Sequence, residues 1–324
     1  MDRKENSEAF LLGPLGRELT RQAAQFCFDS PSGHFFGKRP CRFQCVSCPG
    51  KPVQAYLFLF HAWKYTAFPS KLTLPLYIVL KLVFNMSLKQ VPELGVIIAA
   101  GGSGSRFGAQ NKLLLKLQGV PVFIYSLREF SLLCPAGQIV LVAPKSSLAD
   151  FEEALAKYFP GSSVLLIPGG ESRTHSVLNG LRALPSAVRF VAVHDAARPF
   201  AAASVLLRCL EAARKHGAAI AAKRVTDTVK LASPEFFCAD TLDRERLWTV
   251  ETPQVFMREK LIFAYQRALD SGRFFTDDAG VFTSAGHNVF LLENLDFNLK
   301  ITYPCDLKLA EAWLQSSQPH LPPD

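Results

Sequence analysis

From about residue 94 onward, short apolar runs alternate with amphipathic stretches. The runs at 96–100, 139–142, 164–167, 190–193 and 218–222 are dominated by Val, Ile, Leu, Phe and Ala, the pattern of strands covered on both faces. Between them, 122–133, 148–158, 172–182 and 204–216 bring apolar residues back every three or four positions, as a helix with one buried face does. Regular succession of strand and helix predicts an α/β fold with a doubly wound, mostly parallel sheet. Ligands of such sheets collect beyond the carboxyl ends of the strands, so the residues following each run are where chemistry is sought. The rhythm breaks at about 224–247, where a polar, short-period stretch is too long for an ordinary connection.

Three of the post-strand turns are chemically loaded. The first, within GVIIAAGGSGSRFGAQNK at 95–112, runs a buried strand into glycines that clear side chains from the backbone N–H groups. It then delivers two cations, Arg106 and Lys112. A Walker loop would end in Gly-Lys-Ser/Thr, and a dinucleotide loop would need glycine where Phe107 stands, so neither pattern fits. A cation set against the phosphates suggests chemistry at phosphorus, because a hydride-transfer site binds its pyrophosphate without cleaving it. The second turn, Gly169-Gly170-Glu171-Ser172-Arg173-Thr174-His175-Ser176, offers amides, an acid and hydroxyls to a base edge. The third, His194-Asp195-Ala196-Ala197-Arg198-Pro199, places an acid and a guanidinium one helical turn apart. Asp195 suits Mg²⁺ or a ribose hydroxyl, since nucleotide-bound magnesium takes one or two carboxylates and fills its shell with phosphate oxygens and water. Asp195 and Ser172 are equally suited to cap helices. His194, at the end of an apolar strand, reads as structural.

Taken in order, these motifs resemble those of the 2-C-methyl-D-erythritol 4-phosphate cytidylyltransferases, a family of the non-mevalonate isoprenoid pathway. AAGGSGSRFGAQNK is similar to the family's CTP loop, GGESRTHSVLNGL to its cytosine-recognition segment and VHDAARPF to its central acidic motif. VTDTVK, TLDRERLWTVETPQVF, TDDAGVF and NLKITYPCDLKLAE follow in the family's order, so the resemblance covers about 92–315. It implies a Rossmann-like nucleotidyltransferase of the GT-A type, carrying an inserted β-arm at 224–247. The expected reaction is transfer of CMP from CTP to the sugar-alcohol phosphate with Mg²⁺ present. Arg106, Lys112 and Lys300 would be catalytic. Ala99, Ala100, Gly101, Gly102, Ser103, Gly104, Gly170, Glu171, Ser176 and Asp195 would hold the nucleotide. Asp195, Arg198, Thr228, Arg244, Thr252 and Lys300 would hold the methylerythritol phosphate. Where Glu171 stands the family usually has an acid, often the shorter aspartate, and around Lys112 it commonly has Pro-Lys-Gln. The β-arm implies a homodimer in which Thr228 and Arg244 serve the neighbouring subunit. A cytidylyltransferase for another polyol phosphate, such as ribitol 5-phosphate, would share the CTP half. A nucleotide-binding regulatory protein without catalysis is the reading from another class, and Arg106, Lys112, Asp195 and Lys300 argue against it.

Composition changes this picture only at the N-terminus. The chain of 324 residues carries a formal charge of +8, but residues 1–85 hold 11 Lys and Arg against 5 Asp and Glu, which leaves +2 for the rest. The remainder has no basic stripe interleaved with aromatics, so no nucleic-acid partner is expected. Cys41, Cys45 and Cys48 lie close together near Cys27 and His34, but their spacing matches no standard zinc pattern. Cys134, Cys209, Cys238 and Cys305 are scattered singly, as inert thiols of a cytoplasmic enzyme are. The apolar stretch 53–84 is interrupted by Lys64, Pro69, Lys71, Pro75 and Lys81 before a membrane span accumulates. Residues 1–85 therefore read as an extension, either a mis-assigned upstream start or a poorly ordered segment, and 86–324 as the catalytic domain. The last ten residues, QSSQPHLPPD, read as a loose tail.

Overall fold

A computed structural model describes residues 90–101, 111–135, 137–273 and 275–316. The extension, its boundary at 85/86, its cysteine cluster, the stretch 53–84 and residues 317–324 of the tail lie outside the described residues, as do Gly102, Ser103, Gly104 and Arg106. Among the described residues, no helix is long and apolar enough to cross a membrane.

The chain enters through β1 (Leu94–Ala99), a small hairpin of β2 (Lys116–Leu117) and β3 (Val120–Pro121), and α1 (Val122–Phe130). It continues through β4 (Ile139–Ala143), α2 (Leu148–Tyr158), β5 (Leu165–Pro168), α3 (Arg173–Ala183), β6 (Phe190–Asp195), α4 (Ala203–His216) and β7 (Ala218–Arg224). There it leaves the sheet for β8 (Lys230–Ala232) and β9 (Cys238–Thr241), returns as β10 (Trp248–Met257), and ends with α5 (Arg258–Asp270), α6 (Asp278–Ser284), β11 (Phe290–Glu293) and α7 (Pro304–Ser316). The seven-stranded sheet has the order β11-β7-β10-β6-β1-β4-β5. All five expected strands are present and run parallel, with β10 antiparallel between β6 and β7. The helix expected over 122–133 stops at Phe130, and the next residues close a turn through Leu132 N–H to the Glu129 carbonyl.

Strand pleating explains why the apolar runs are unbroken. Val96 and Ile98 join a core with Phe123, Phe130, Phe151 and Leu206, while Ile97 between them points to the opposite core, with Val177, Phe256 and Tyr265. Phe123 and Phe151 meet edge to face at 4.8 Å between ring centroids. Gly180 lets α3 lie close on β1, because a Cβ there would come within 2.9 Å of the Ile97 side chain. At Gly217, φ of +85° closes α4 in the left-handed conformation that glycine adopts without strain. The register of β10 against β7 shifts between Val250 and Gln254. That irregularity brackets Pro253, which has no N–H for the ladder, and Glu251 and Thr252 beside it line the cavity described below.

Candidate active site

A cavity of roughly 500 Å³ opens at the carboxyl ends of β1, β4 and β6. Its wall includes Gly101, Lys112, Asp195, Arg198, Thr252 and Lys300, which are scattered over some 200 positions of sequence. The doubly wound sheet brings them together: β1 delivers Ala99 and Gly101, β6 delivers Asp195, and β10 delivers Thr252. The segment after β11 supplies Lys300. It is anchored where Ile301 N–H donates to the Ala197 carbonyl at 2.9 Å and Lys112 Nζ donates to the Ile301 carbonyl at 2.7 Å.

Asp195 is the centre of this arrangement. Lys300 Nζ lies 2.7 Å from its Oδ2, and Arg198 Nε lies 3.9 Å from the same oxygen. Burial alone would raise the carboxyl's pKa, but Lys300, with Arg173 and Arg198 behind it, outweighs burial and holds it below the usual range. Burial likewise lowers Arg198, against the pull of Asp195 and Glu251. Arg198 is fixed from the far side by a 2.8 Å hydrogen bond from Nη1 to the Asn298 carbonyl.

His194 organises the layer beneath. It is fully buried, and burial pushes its pKa down to about 3, so the imidazole is neutral. Nε2 lies 3.2 Å from the Arg198 carbonyl, which only accepts, so Nε2 carries the proton and Nδ1 is bare. Thr252 therefore donates its hydroxyl proton to Nδ1 at 3.0 Å while accepting from Asp195 N–H at 3.1 Å. With that proton engaged, Thr252 offers the cavity acceptor capacity alone. Reading His194 as structural agrees with its burial, and the structure adds that it holds three site residues in register.

The turn before α3 is braced internally. Ser172 caps the helix, accepting from His175 N–H, and Ser176 Oγ donates to the Ser172 carbonyl at 2.9 Å and accepts from Gly170 N–H at 3.1 Å. A Cβ on Gly170 would fall 2.4 Å from His175 Cβ, so the turn requires glycine there. Ser176 lines the cavity, while Gly170 and Glu171 are exposed and stand outside its wall. Ala100 is buried and its N–H serves the sheet, donating to the Val142 carbonyl at 2.8 Å.

Thr228 and Arg244 occupy another place. The chain from Val225 to Leu247 forms a protruding hairpin closed at its root by Val225 N–H to the Leu247 carbonyl at 3.1 Å. Every residue of β8 and β9 is exposed, and Phe236 and Phe237 near the tip are 93% and 74% exposed. Thr228 and Arg244 are exposed on this arm and do not line the cavity of their own chain; Arg244 donates to the Thr226 carbonyl at 2.9 Å.

Sequence reasoning passed over several cavity residues. Arg173, Glu251, Gln254, Thr276 and Asp277 all line it. Glu251 is buried, with Oε2 accepting from Asn294 at 2.8 Å and Asn298 at 3.0 Å, and Lys223 lies 3.5 Å from Oε1. These residues stand inside motifs already singled out, and that position was the available signal. Their partners are far away in sequence, so no local spacing marks them. Among the described residues there is no cluster of three His, Cys, Asp or Glu side chains able to hold a metal ion unaided.

The fold and this constellation agree with what is known of other proteins. The sequence model of the family described as IspD, 2-C-methyl-D-erythritol 4-phosphate cytidylyltransferase, matches residues 94–316. A protein of that name from Caldanaerobacter subterraneus subsp. tengcongensis is 36% identical over 221 residues, covering 68% of this chain and 97% of that protein. Its namesake from Geobacillus kaustophilus is 40% identical over 221 residues, covering 68% of this chain and 96% of that protein. Among solved structures, the 4-diphosphocytidyl-2C-methyl-D-erythritol synthase of Anaerococcus prevotii aligns with a TM-score of 0.60 at 29% identity, over 68% of this chain and 98% of that one. The shared order of motifs, the cavity they build and the nearly full length of each relative lead to one assignment: the chain belongs to the 2-C-methyl-D-erythritol 4-phosphate cytidylyltransferase family.

Proposed function

We infer that this chain transfers the cytidylyl group of CTP to 2-C-methyl-D-erythritol 4-phosphate, releasing pyrophosphate, as a step of isoprenoid biosynthesis. The observation that carries the reading is the convergence of Lys112, Asp195, Arg198 and Lys300 on one cavity at the strand ends. A phosphate oxygen of the acceptor attacks the α-phosphorus in line, and the bond to the pyrophosphate oxygen breaks. The nucleophile is already an anion near neutral pH, so no general base is required. Catalysis then comes from orientation and from cations placed where charge develops. Lys112 belongs on the nucleotide side, beside the glycine loop. Lys300 and Arg198 belong with the acceptor phosphate, and Asp195 fixes both while facing the ribose or the polyol hydroxyls.

Mg²⁺ fits this donor set as a passenger of the triphosphate. A single carboxylate, Asp195, suits an ion that keeps most of its shell in phosphate oxygens and water, and its chemistry would be to neutralise phosphate charge. The proposal extends to a homodimer. The arm is exposed along both strands and tipped by two phenylalanines, and Thr228 and Arg244 reach an acceptor phosphate most simply in a partner's cavity. It also takes the enzyme as cytoplasmic, because the reaction draws on intracellular CTP.

The test is pyrophosphate release by the full chain with CTP and Mg²⁺, run in parallel with 2-C-methyl-D-erythritol 4-phosphate and ribitol 5-phosphate. Release with the former alone is expected. Release with ribitol phosphate alone would move the acceptor, and silence with both would return the chain to a regulatory role.

A further inference from the structure

The cavity has two walls that belong to different parts of the chain. One is the first turn of α3, where Ser176 and Val177 line the cavity, and the other is formed by Gln254, Thr276 and Asp277 beside Thr252. Arg173, the first residue of α3, crosses between them. Its Nη1 and Nη2 lie 2.9 and 2.5 Å from the two carboxylate oxygens of Asp278, the first residue of α6. Asp278 is fully buried, and the Tyr265 hydroxyl of α5 donates to it from the other side. A planar guanidinium on a carboxylate in this forked geometry fixes direction as well as distance.

The acceptor-side wall is tied into the same system. Asp277 caps α6 by accepting from Gly280 N–H at 3.0 Å, and it also accepts from Gln254 Nε2 at 3.2 Å. Gln254 Oε1 accepts in turn from Ala279 N–H at 3.0 Å, so β10 and α6 are joined twice. Burial works against the charge on Arg173, but the Asp278 carboxylate overrides it and keeps the guanidinium firmly protonated. Burial, with Asp278 next, raises the Tyr265 hydroxyl well above its usual range, so it remains a donor.

We propose that Arg173, Asp278 and Tyr265 form a latch that sets the nucleotide wall of the cavity against its acceptor wall, with all three acting as positioning residues for the transfer step. The inference rests on the cytidylyl-transfer reading above. A latch of this kind leaves each substrate its own contacts and governs the alignment between them. Displacement by about 1 Å at the reacting atoms costs on the order of 10² in rate.

The experiment measures kcat, both KM values and Tm for the full chain carrying Arg173→Lys, Asp278→Asn or Tyr265→Phe. The expected result is a kcat lowered about 10- to 100-fold in the charge variants and several-fold in Tyr265→Phe, with both KM values within about threefold of wild type. The double variant of Arg173 and Asp278 should lose little more than either single one, because both break the same link. A lowered Tm with unchanged kcat would reduce the cluster to a packing feature and overturn the proposal. A loss confined to KM for CTP would do the same by making Arg173 a nucleotide contact. If the charge variants do not fold, Tyr265→Phe, which removes one hydroxyl, decides alone. A wild-type chain that releases no pyrophosphate would overturn the transfer reading itself, an outcome distinct from an active wild type with equally active variants.

Discussion

Asp195 and Arg244 are expected to serve the same acceptor, yet their surroundings differ in almost every respect. Asp195 is held by Lys300, Arg198 and the Thr252 hydroxyl, and Arg198 and Thr252 are held in turn by the Asn298 carbonyl and His194. Arg244 stands exposed on a hairpin whose strands bury no residue, and it donates to a carbonyl of the arm itself. One region is preorganised within the chain, so its groups need little rearrangement when charge develops. The other carries apolar surface outward, a cost that a folded protein tolerates where a partner covers it.

The sharpest way to break this contrast is to remove a cation from the preorganised side. Lys112→Ala or Lys300→Ala should lower kcat by about 10² to 10³ while the protein stays folded, the usual effect of deleting one charge or donor aimed at a transition state. Near-normal turnover in both would mean that the cavity is not where the bond is made. A complementation assay addresses the arm. Arg244→Ala and Lys300→Ala should each be inactive or nearly so, but when the two are mixed and allowed to exchange subunits, activity should return to about a quarter of wild type. Half of the dimers would then be mixed, each with one intact shared site. No recovery after confirmed exchange would place Arg244 outside the neighbour's cavity.

Acid tests the buried layer separately. His194 has a folded pKa depressed to about 3, below its unfolded value, so the unfolded chain binds the extra proton first. Its contribution to stability is therefore present above about pH 6.5 and is lost as pH falls toward 3. Between pH 6.5 and 5 that loss should be on the order of 2 kcal/mol, read from denaturant midpoints. Asp195, depressed as well, adds a loss of the same sign at lower pH. A flat profile over pH 6.5 to 5 would show that His194 gains a proton without disturbing the fold. The smallest expected effect is at the helix cap: Ser172→Ala should cost about 1 kcal/mol in stability. Its kcat should stay near wild type, because Ser176 still ties Gly170 to α3.

Much of this molecule was legible because β1, β4, β6 and most of β7 are buried on both faces, which makes them unbroken apolar runs with sharp ends. The glycine loop, the 169–176 turn and the Asp195 motif were found because each directly follows such a run. β10 was hidden for the converse reason. Its middle is Glu251-Thr252-Pro253-Gln254, polar and proline-bearing, because there the strand gives up regular pairing to form the cavity wall. Its antiparallel direction is a property of the sheet and has no local signature. Arg173 and Asp278 lie 105 residues apart, and neither of their motifs refers to the other. His194 was read as structural from its apolar strand, but its hold on Thr252 and Arg198 needed three dimensions to be seen.

The roots of the hairpin have a consequence for redesign. Arg224 pairs with Trp248 in register, with the guanidinium stacked 4.4 Å over the indole, so the arm departs from and returns to neighbouring positions on adjacent antiparallel strands. Excising 225–247 and joining the ends through a two-residue Asn-Gly turn would leave an ordinary hairpin of the kind short loops favour. The arm is thus a detachable insertion, and a version of the chain cut back in this way would keep the whole sheet while giving up Thr228 and Arg244.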